Sequence, residues 1–370
     1  MTVLVVLLAL VGIAQGLPQC RDEDNNPVDW YVLYKLPRNK ESSSTLIQNG
    51  VAYAYITSDS VSRGWILSNS SINDTKSMPG NTLELLYNSS DVFKANSLLW
   101  ALYNDQVPGK TYSSDQGHTK GVVISETDGG FWLVHSVPYF PPIPGNVTTS
   151  GTDSDSGGYS YPSTGLRYGQ SFLCISLSAS QLDLVGTQLT YNQPWIYSYN
   201  VPEDLERHLP HLAAAARSVR VRVAPWHHLQ EITSLAGQAF YSFAKAVKFN
   251  KELYFDWVAP ALQTDLLVET WRNGKGKLPS SCNSTFTVQD ISSVTVDAAN
   301  IRFKSTEDHS KWAAAYEDDN TENDWVCIGD INRMESQERR GGGTVCINHP
   351  KLWQKYWNIV SSIDPCPANQ

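Results

Sequence analysis

Apolar positions in this chain fall in short runs broken by polar, Gly- and Pro-rich segments, the pattern of many strands with a few helices between them. Asp29 to Leu36 alternates as a strand, Val51 to Thr57 is a second, and Ser97 to Tyr103 a third that ends at Asn104-Asp105. Ser68 to Ser90 is polar and reads as exposed loop with a short helix. Val107 to Gly117 is loop and sets His118 at the start of the next strand. Asp128-Gly129-Gly130 then makes a hairpin turn. Pro138 to Gly165 is rich in Pro, Ser and Gly, and predicts a long loop that would lie at the lip of a site. A strand over Gln170–Leu177, a short helix over Ala179–Thr187 and a strand over Pro194–Tyr199 close the first half. Val201 to Val219 is helical in parts, and Arg220 to Val223 alternates as a half-exposed strand. Gln238 to Val247 is apolar and aromatic, Glu252 to Leu262 helical, and Asp265 to Trp271 a strand leading into the turn Asn273–Lys277. Short strands at Ser293–Asp297 and Asn300–Phe303, a flexible basic turn at Arg339–Gly343 and an amphipathic helix over Pro350–Ile363 complete the reading.

Part of this pattern occurs twice. His118-Thr119-Lys120 and His309-Ser310-Lys311 each open an apolar strand, Val122–Ser125 in one case and Trp312–Ala315 in the other. Each then passes through a polar turn to a second apolar strand, Phe131–Val134 or Trp325–Ile328. Short polar elements follow, His135-Ser136 and Asp330-Ile331-Asn332. In an extended triplet the first and third side chains share a face, so each copy projects an imidazole beside an ammonium. That pair suits a phosphate: Lys supplies charge, and His can attack, accept a proton or donate one. One such triplet arises readily by chance; two in matching contexts predict a two-fold pseudodimer with a single site at its seam.

The chain has 370 residues, 41% of them apolar and 18% charged, enough for two halves with a large core. After the first residues no run is long enough to cross a membrane. Val3 to Val11 is an apolar run of signal-peptide length, and Ala14 and Gly16 suit cleavage before Leu17; a buried N-terminal helix or anchor is the alternative. Entry into the secretory pathway fits the six cysteines, Cys20, Cys174, Cys282, Cys327, Cys346 and Cys366, which read as three disulfides, with many pairings open. It also fits five glycosylation sequons, at Asn69, Asn73, Asn88, Asn146 and Asn283. The formal charge of −9 opposes binding of a polyanion, and protonating the eight His in an acidic compartment would move it to −1. His208, His211, His227 and His228 are close enough in sequence for a metal site but lack matched Cys or acidic partners, and read as exposed.

Two His-x-Lys motifs, the second followed by Gly329-Asp330-Ile331-Asn332, resemble the phospholipase D superfamily pattern of His-x-Lys followed by Gly-Ser-x-Asn. Within that superfamily the chain resembles the deoxyribonuclease II family through Trp30–Pro37, Tyr103–Gln106, His118–Val122, Gly129–Pro138, Tyr168–Ser171, Ser305–Trp312 and Arg340–Thr344. The superfamily often carries Asp five residues after the Lys; Ser125 and Tyr316 stand there, with Glu126 and Glu317 one further on. The resemblance implies an α/β, phospholipase-D-like pseudodimer of two sheet-and-helix halves, residues 17–200 and 201–370, after a signal peptide at 1–16. It implies an acid endonuclease of lysosomes or secreted fluid that cuts double-stranded DNA to 3′-phosphate products without a divalent cation or other cofactor. It also implies the pairings Cys20–Cys174, Cys282–Cys366 and Cys327–Cys346.

On this reading His118, Lys120, His309 and Lys311 are the catalytic set. One neutral imidazole, His118 by analogy, attacks phosphorus to form a phosphohistidine, and a protonated one, His309, gives its proton to the leaving oxygen. Lys120 and Lys311 neutralise the non-bridging oxygens. Asn332, Ser136, His135 and Asp330 are candidates to support the site or merely to orient strands. Arg217, Arg220 and Arg222 would either track a DNA backbone or keep an edge strand soluble. Two alternatives remain at this level: a lipid hydrolase of the phospholipase D type, and a secreted DNA-binding factor with a dead site.

Overall fold

The computed structural model describes residues 17–87, 97–111, 115–145, 158–316 and 323–367. The expected signal peptide, Asn88, Asn146 and Glu317 lie outside the described residues. Among those residues the chain forms two large sheets with helices on and between them. The first contains β1 (Trp30–Lys35), β2 (Tyr53–Thr57), β3 (Ile66–Leu67), β4 (Leu99–Asn104), β5 (Lys120–Ser125), β6 (Gly129–His135), β7 (Gln170–Ser178) and β8 (Ile196–Asn200), in the order β3-β2-β1-β7-β6-β5-β4-β8. The second contains β9 (His227–Thr233), β10 (Ala239–Lys245), β11 (Leu266–Glu269), β12 (Val288–Val296), β13 (Ile301–Lys304), β14 (Trp312–Ala315), β15 (Trp325–Gly329) and β16 (Gly342–Asn348), in the order β13-β12-β11-β14-β15-β16-β10-β9, with β17 (Val360–Ile363) beside β12.

Five strands at the centre of each sheet follow one scheme. β1-β7-β6-β5-β4 and β10-β16-β15-β14-β11 both place the first strand in sequence next to the fifth, then the fourth, third and second. The motif strands β5 and β14 occupy equivalent places. The last central strand leads into a helix in both cases: α2 (Ala179–Asn192) after β7, and α5 (Pro350–Trp357) after β16; the chain also forms α1 (Met78–Tyr87), α3 (Glu203–His208) and α4 (Pro210–Ala216).

Strand periodicity explains why these runs are apolar throughout. Along β1, Trp30, Val32 and Tyr34 enter a core shared by the two sheets, whereas Tyr31 and Leu33 enter a second core beneath α1. On β14 and β15, Trp312, Ala314, Val326 and Ile328 join the shared core, and Ala313 and Cys327 face a third cluster with Tyr254 and Val258. Helix α2 lies in the shared layer, against β6 and β7 of its own sheet and β9 and β10 of the other. The central strands of both sheets therefore bury both faces.

The structure corrects several expectations. Ala179–Thr187 is the start of a longer helix that runs to Asn192 and closes on Gln193 in the left-handed region. Pro350–Ile363 is not one helix: α5 stops at Trp357, and Val360–Ile363 pairs with β12. Arg220–Val223 is irregular, because its one ladder-like bond joins Val221 N–H to the carbonyl of Thr190 on α2, with no strand alongside. The basic segment Arg339–Gly343 is a turn only as far as Gly341. Gly342 and Gly343 begin β16, and the seam is so tight that a Cβ on Gly343 would lie 1.9 Å from the Phe243 carbonyl oxygen. The six cysteines pair Cys20–Cys174, Cys282–Cys366 and Cys327–Cys346, the connectivity that the resemblance implies. No helix among the described residues is long and apolar enough to cross a membrane.

Candidate active site

The two His-x-Lys triplets meet where the sheets face each other, and each is fixed by the opposite half. His118 donates its main-chain N–H to Gly341 O at 2.8 Å, and His309 donates its own to Gly169 O at 2.9 Å. Gly341 immediately precedes β16, and Gly169 immediately precedes β7, so these contacts are equivalent under the repeat. The side chains repeat the exchange. His118 Nδ1 bonds the carbonyl of Asp330, the residue after β15, and His309 Nδ1 lies 3.2 Å from the carbonyl of Ser136, the residue after β6. A carbonyl accepts only from N–H, so in His118 the proton is assigned to Nδ1 and the lone pair to Nε2. These carbonyls hold the rings in place of the acids missing five residues after each Lys.

The charges of this site act on one another across the seam. His118 is held well below the ordinary imidazole range by burial first, then by Lys120, Arg340 and Lys311. His309 is lowered in the same way by burial, Lys311, Lys120 and His118. Lys311 is itself pushed well below the usual ammonium range by burial and then by Lys120. Burial and the neighbouring cations thus favour the neutral form of both imidazoles, with Asp105 opposing this at His309.

The halves differ in what flanks each histidine. On the His118 side, Asp105 accepts Lys120 Nζ at 2.5 Å and Arg340 Nη2 at 3.3 Å, with His118 Nε2 3.9 Å away. Arg340 also donates to Gln116 O through Nη2 at 2.8 Å and Nε at 3.0 Å. On the His309 side, Lys311 Nζ lies 3.0 Å from His309 Nδ1 and donates to the His309 carbonyl at 2.6 Å. Strand register relates the two sides. Asn104 faces Lys120, and because Glu269 faces Trp312, Thr270 faces Lys311. The next residues, Asp105 and Trp271, therefore occupy matching positions: a carboxylate beside His118 and an indole beside His309, their rings 5.1 Å apart.

The supporting candidates separate clearly. Ser136 holds His309 through its carbonyl, while its hydroxyl donates to Gln170 Oε1 at 2.6 Å and accepts the Ser171 N–H at 2.9 Å. Asp330 holds His118 through its carbonyl, and its carboxylate accepts Gly343 N–H at 3.0 Å; burial raises that carboxyl to about 6. Asn332 Oδ1 accepts the Trp271 N–H at 3.2 Å. His135 is placed differently: it is buried between Phe140 and Phe172, and its Nδ1 accepts the Val137 N–H at 3.1 Å. Arg217 is exposed and pairs with Glu206, Arg222 is exposed, and half-buried Arg220 bonds the side chain of Gln116, whose carbonyl accepts from Arg340 beside His118. His211 pairs with Asp183 at the surface, and His228 stacks on Tyr191. Asn69, Asn73 and Asn283 are exposed.

A deoxyribonuclease II family model matches residues 19–366. The chain belongs to the deoxyribonuclease II family. It is similar to pig deoxyribonuclease-2-alpha, at 38% identity over 98% of this chain and 94% of the relative, and to the mouse deoxyribonuclease-2-alpha, at 37% over 98% and 97%. Human deoxyribonuclease-2-beta is 36% identical over 98% of this chain and 95% of its own. Asp105 and Arg340 lie in runs that carry this family likeness, Tyr103–Gln106 and Arg340–Thr344, yet the sequence assigned them no role. The carboxylate is distant in sequence from both cations and meets them only once β4, β5 and the edge of β16 are assembled.

Proposed function

We propose that this chain is an acid endodeoxyribonuclease whose single active site is shared by two phospholipase-D-like halves, residues 17–200 and 201–370. The observation that supports the reading is the reciprocal exchange, His118 to Gly341 and Asp330, His309 to Gly169 and Ser136, in which each His-Lys triplet is held at the seam by the opposite sheet. Family membership and the names of the relatives support DNA as the substrate.

In the proposed reaction the Nε2 lone pair of His118 attacks phosphorus and the P–O5′ bond breaks. O5′ takes the proton from His309 Nε2, leaving a phosphohistidine and a 5′-hydroxyl. Water then attacks phosphorus as neutral His309 takes its proton. The N–P bond breaks back to His118, and the product carries a 3′-phosphate. Lys120 and Lys311 face the non-bridging oxygens and stabilise their charge, work that a metal ion does elsewhere. Burial keeps His118 neutral, hence nucleophilic, under acid conditions. The same environment makes protonated His309 available only in acid until a bound phosphate favours it. Secretion after removal of residues 1–16, glycosylation at the sequons and a lysosomal or extracellular site of action complete the proposal. No observation favours a lipid hydrolase or an inactive DNA-binding factor.

Plasmid digestion at pH 5 in excess EDTA tests this reading. Wild type should nick and linearise the plasmid, and His309→Ala should not. Loss of wild-type cleavage in chelator, restored by Mg²⁺ or Zn²⁺, would reject the metal-free mechanism.

A further inference from the structure

A row of rings leads outward from His309. Trp271 meets the imidazole at 60° with centroids 5.1 Å apart, Tyr168 meets Trp271 edge-on at 4.6 Å and 83°, and the Arg167 guanidinium lies 5.0 Å from the Tyr168 centroid. His309, Trp271 and Tyr168 are partly exposed and Arg167 is exposed, so the row passes from the pocket to solvent. Both halves build it. The main-chain N–H of Trp271 donates to Asn332 Oδ1, and Gly169, next to Tyr168, donates to Glu307 O at 3.0 Å and accepts the main-chain N–H of His309. The matching position beside His118 is held by Asp105, so the row belongs to one side of the site only.

Partly exposed indole and phenol rings beside a phosphate pocket suit the face of a base. Stacking on aromatic side chains tolerates any base, because each has a π-face, and a neighbouring Arg can meet the phosphate that follows. Resting on the nuclease reading with His309 as acid, we infer that Trp271 and Tyr168 form a stacking subsite for the nucleotide on the 3′ side of the scissile phosphate, with Arg167 taking the next phosphate. The base leaves the duplex stack to occupy it, and that fixes the departing O5′ beside His309.

End-labelled oligonucleotides with one abasic residue at a defined position test the subsite, with each cleaved linkage resolved on a gel. Wild type should cut the linkage 5′ to the abasic residue about tenfold or more slowly than the same linkage with its base present. Trp271→Ala should cut both at one reduced rate, since lesion and mutation remove the same contact. Trp271→Phe, which keeps an aromatic face, should retain most of the wild-type discrimination and guards against a folding artefact. Arg167→Gln should lower the slope of log rate against log salt under kcat/KM conditions by roughly 0.7 to 0.9. Losses from lesion and Trp271→Ala that multiply, or a wild type indifferent to the lesion, would overturn the subsite. Coupling confined to the nucleotide 5′ of the cut would overturn its placement beside the leaving group. A wild type that cuts no DNA would instead defeat the nuclease reading itself, which His309→Ala in the same assay keeps separate.

Discussion

Asp105 is the residue on which the cationic side of the pocket depends. It is fully buried, it bridges Lys120 and Arg340, and it faces Nε2 of His118. Replacing it by Asn leaves two buried cations without their carboxylate, which costs roughly 3–5 kcal/mol when a buried pair is broken. Asp105→Asn should therefore lower the chemical-denaturation midpoint sharply and reduce acid DNA cleavage by at least about tenfold. A variant with wild-type stability and rate would show that the bridge is incidental. Neither its role nor that of the Asp330 and Ser136 carbonyls was legible from residue types. The two His-Lys pairs were, because i and i+2 share a face in extended chain, although His118, His309 and Lys311 lie just before β5 and β14 rather than in them. The partners of those side chains are main-chain atoms and a distant acid, and no local pattern encodes them.

At the scale of elements, the paired strands β15 and β16 carry much of the site. β15 delivers Asp330 to His118, β16 begins at the glycine seam against His118 and Phe243, and Cys327–Cys346 ties the two in register. Closing a loop of 19 residues contributes about 3 kcal/mol by restricting the unfolded chain. The double variant Cys327→Ser/Cys346→Ser should unfold at a clearly lower denaturant concentration and lose hydrogen-exchange protection first along β15 and β16. Unchanged protection there would contradict a role for the bridge in holding the seam. The central strands were legible from their apolar runs. The edge strands were not: β9 is polar on one face and half-exposed, and β17 continues an apparently amphipathic segment past Asn358, where only pairing with β12 decides between helix and strand. The glycines after Arg340 read as loose chain in sequence because their meaning is lack of space, and space is a property of the assembled seam.

For the whole molecule, burial changes the charge argument. The formal charge of −9 does not rise by the full eight in mild acid, because burial holds His118, His135 and His309 well below the ordinary imidazole range and also lowers His227, His228 and His349. Buried acids supply a separate dependence of stability on pH. Glu269 is raised well above the carboxylate range by burial first and then by Asp308; Ser305, Asp290 and Arg272 also face it. A carboxyl whose folded-state pKa exceeds its unfolded one stabilises the fold below the unfolded value, and that contribution is lost as pH rises through the folded value. Glu269→Gln does not titrate, so its Tm relative to wild type should climb as pH is raised from about 4.5. A constant difference across that range would refute the assignment.

The most direct test of two histidines serving one phosphodiester is the rate of plasmid nicking against pH, in chelator, for wild type, His118→Ala and His309→Ala. One neutral imidazole and one imidazolium in a shared pocket predict a bell for wild type centred on the acid side of neutrality. Each single variant should fall by orders of magnitude, and the double variant little further, because the two act as one unit. Near-normal acid activity in either single variant, or a wild type fastest above pH 8 with no acid limb, would contradict the account.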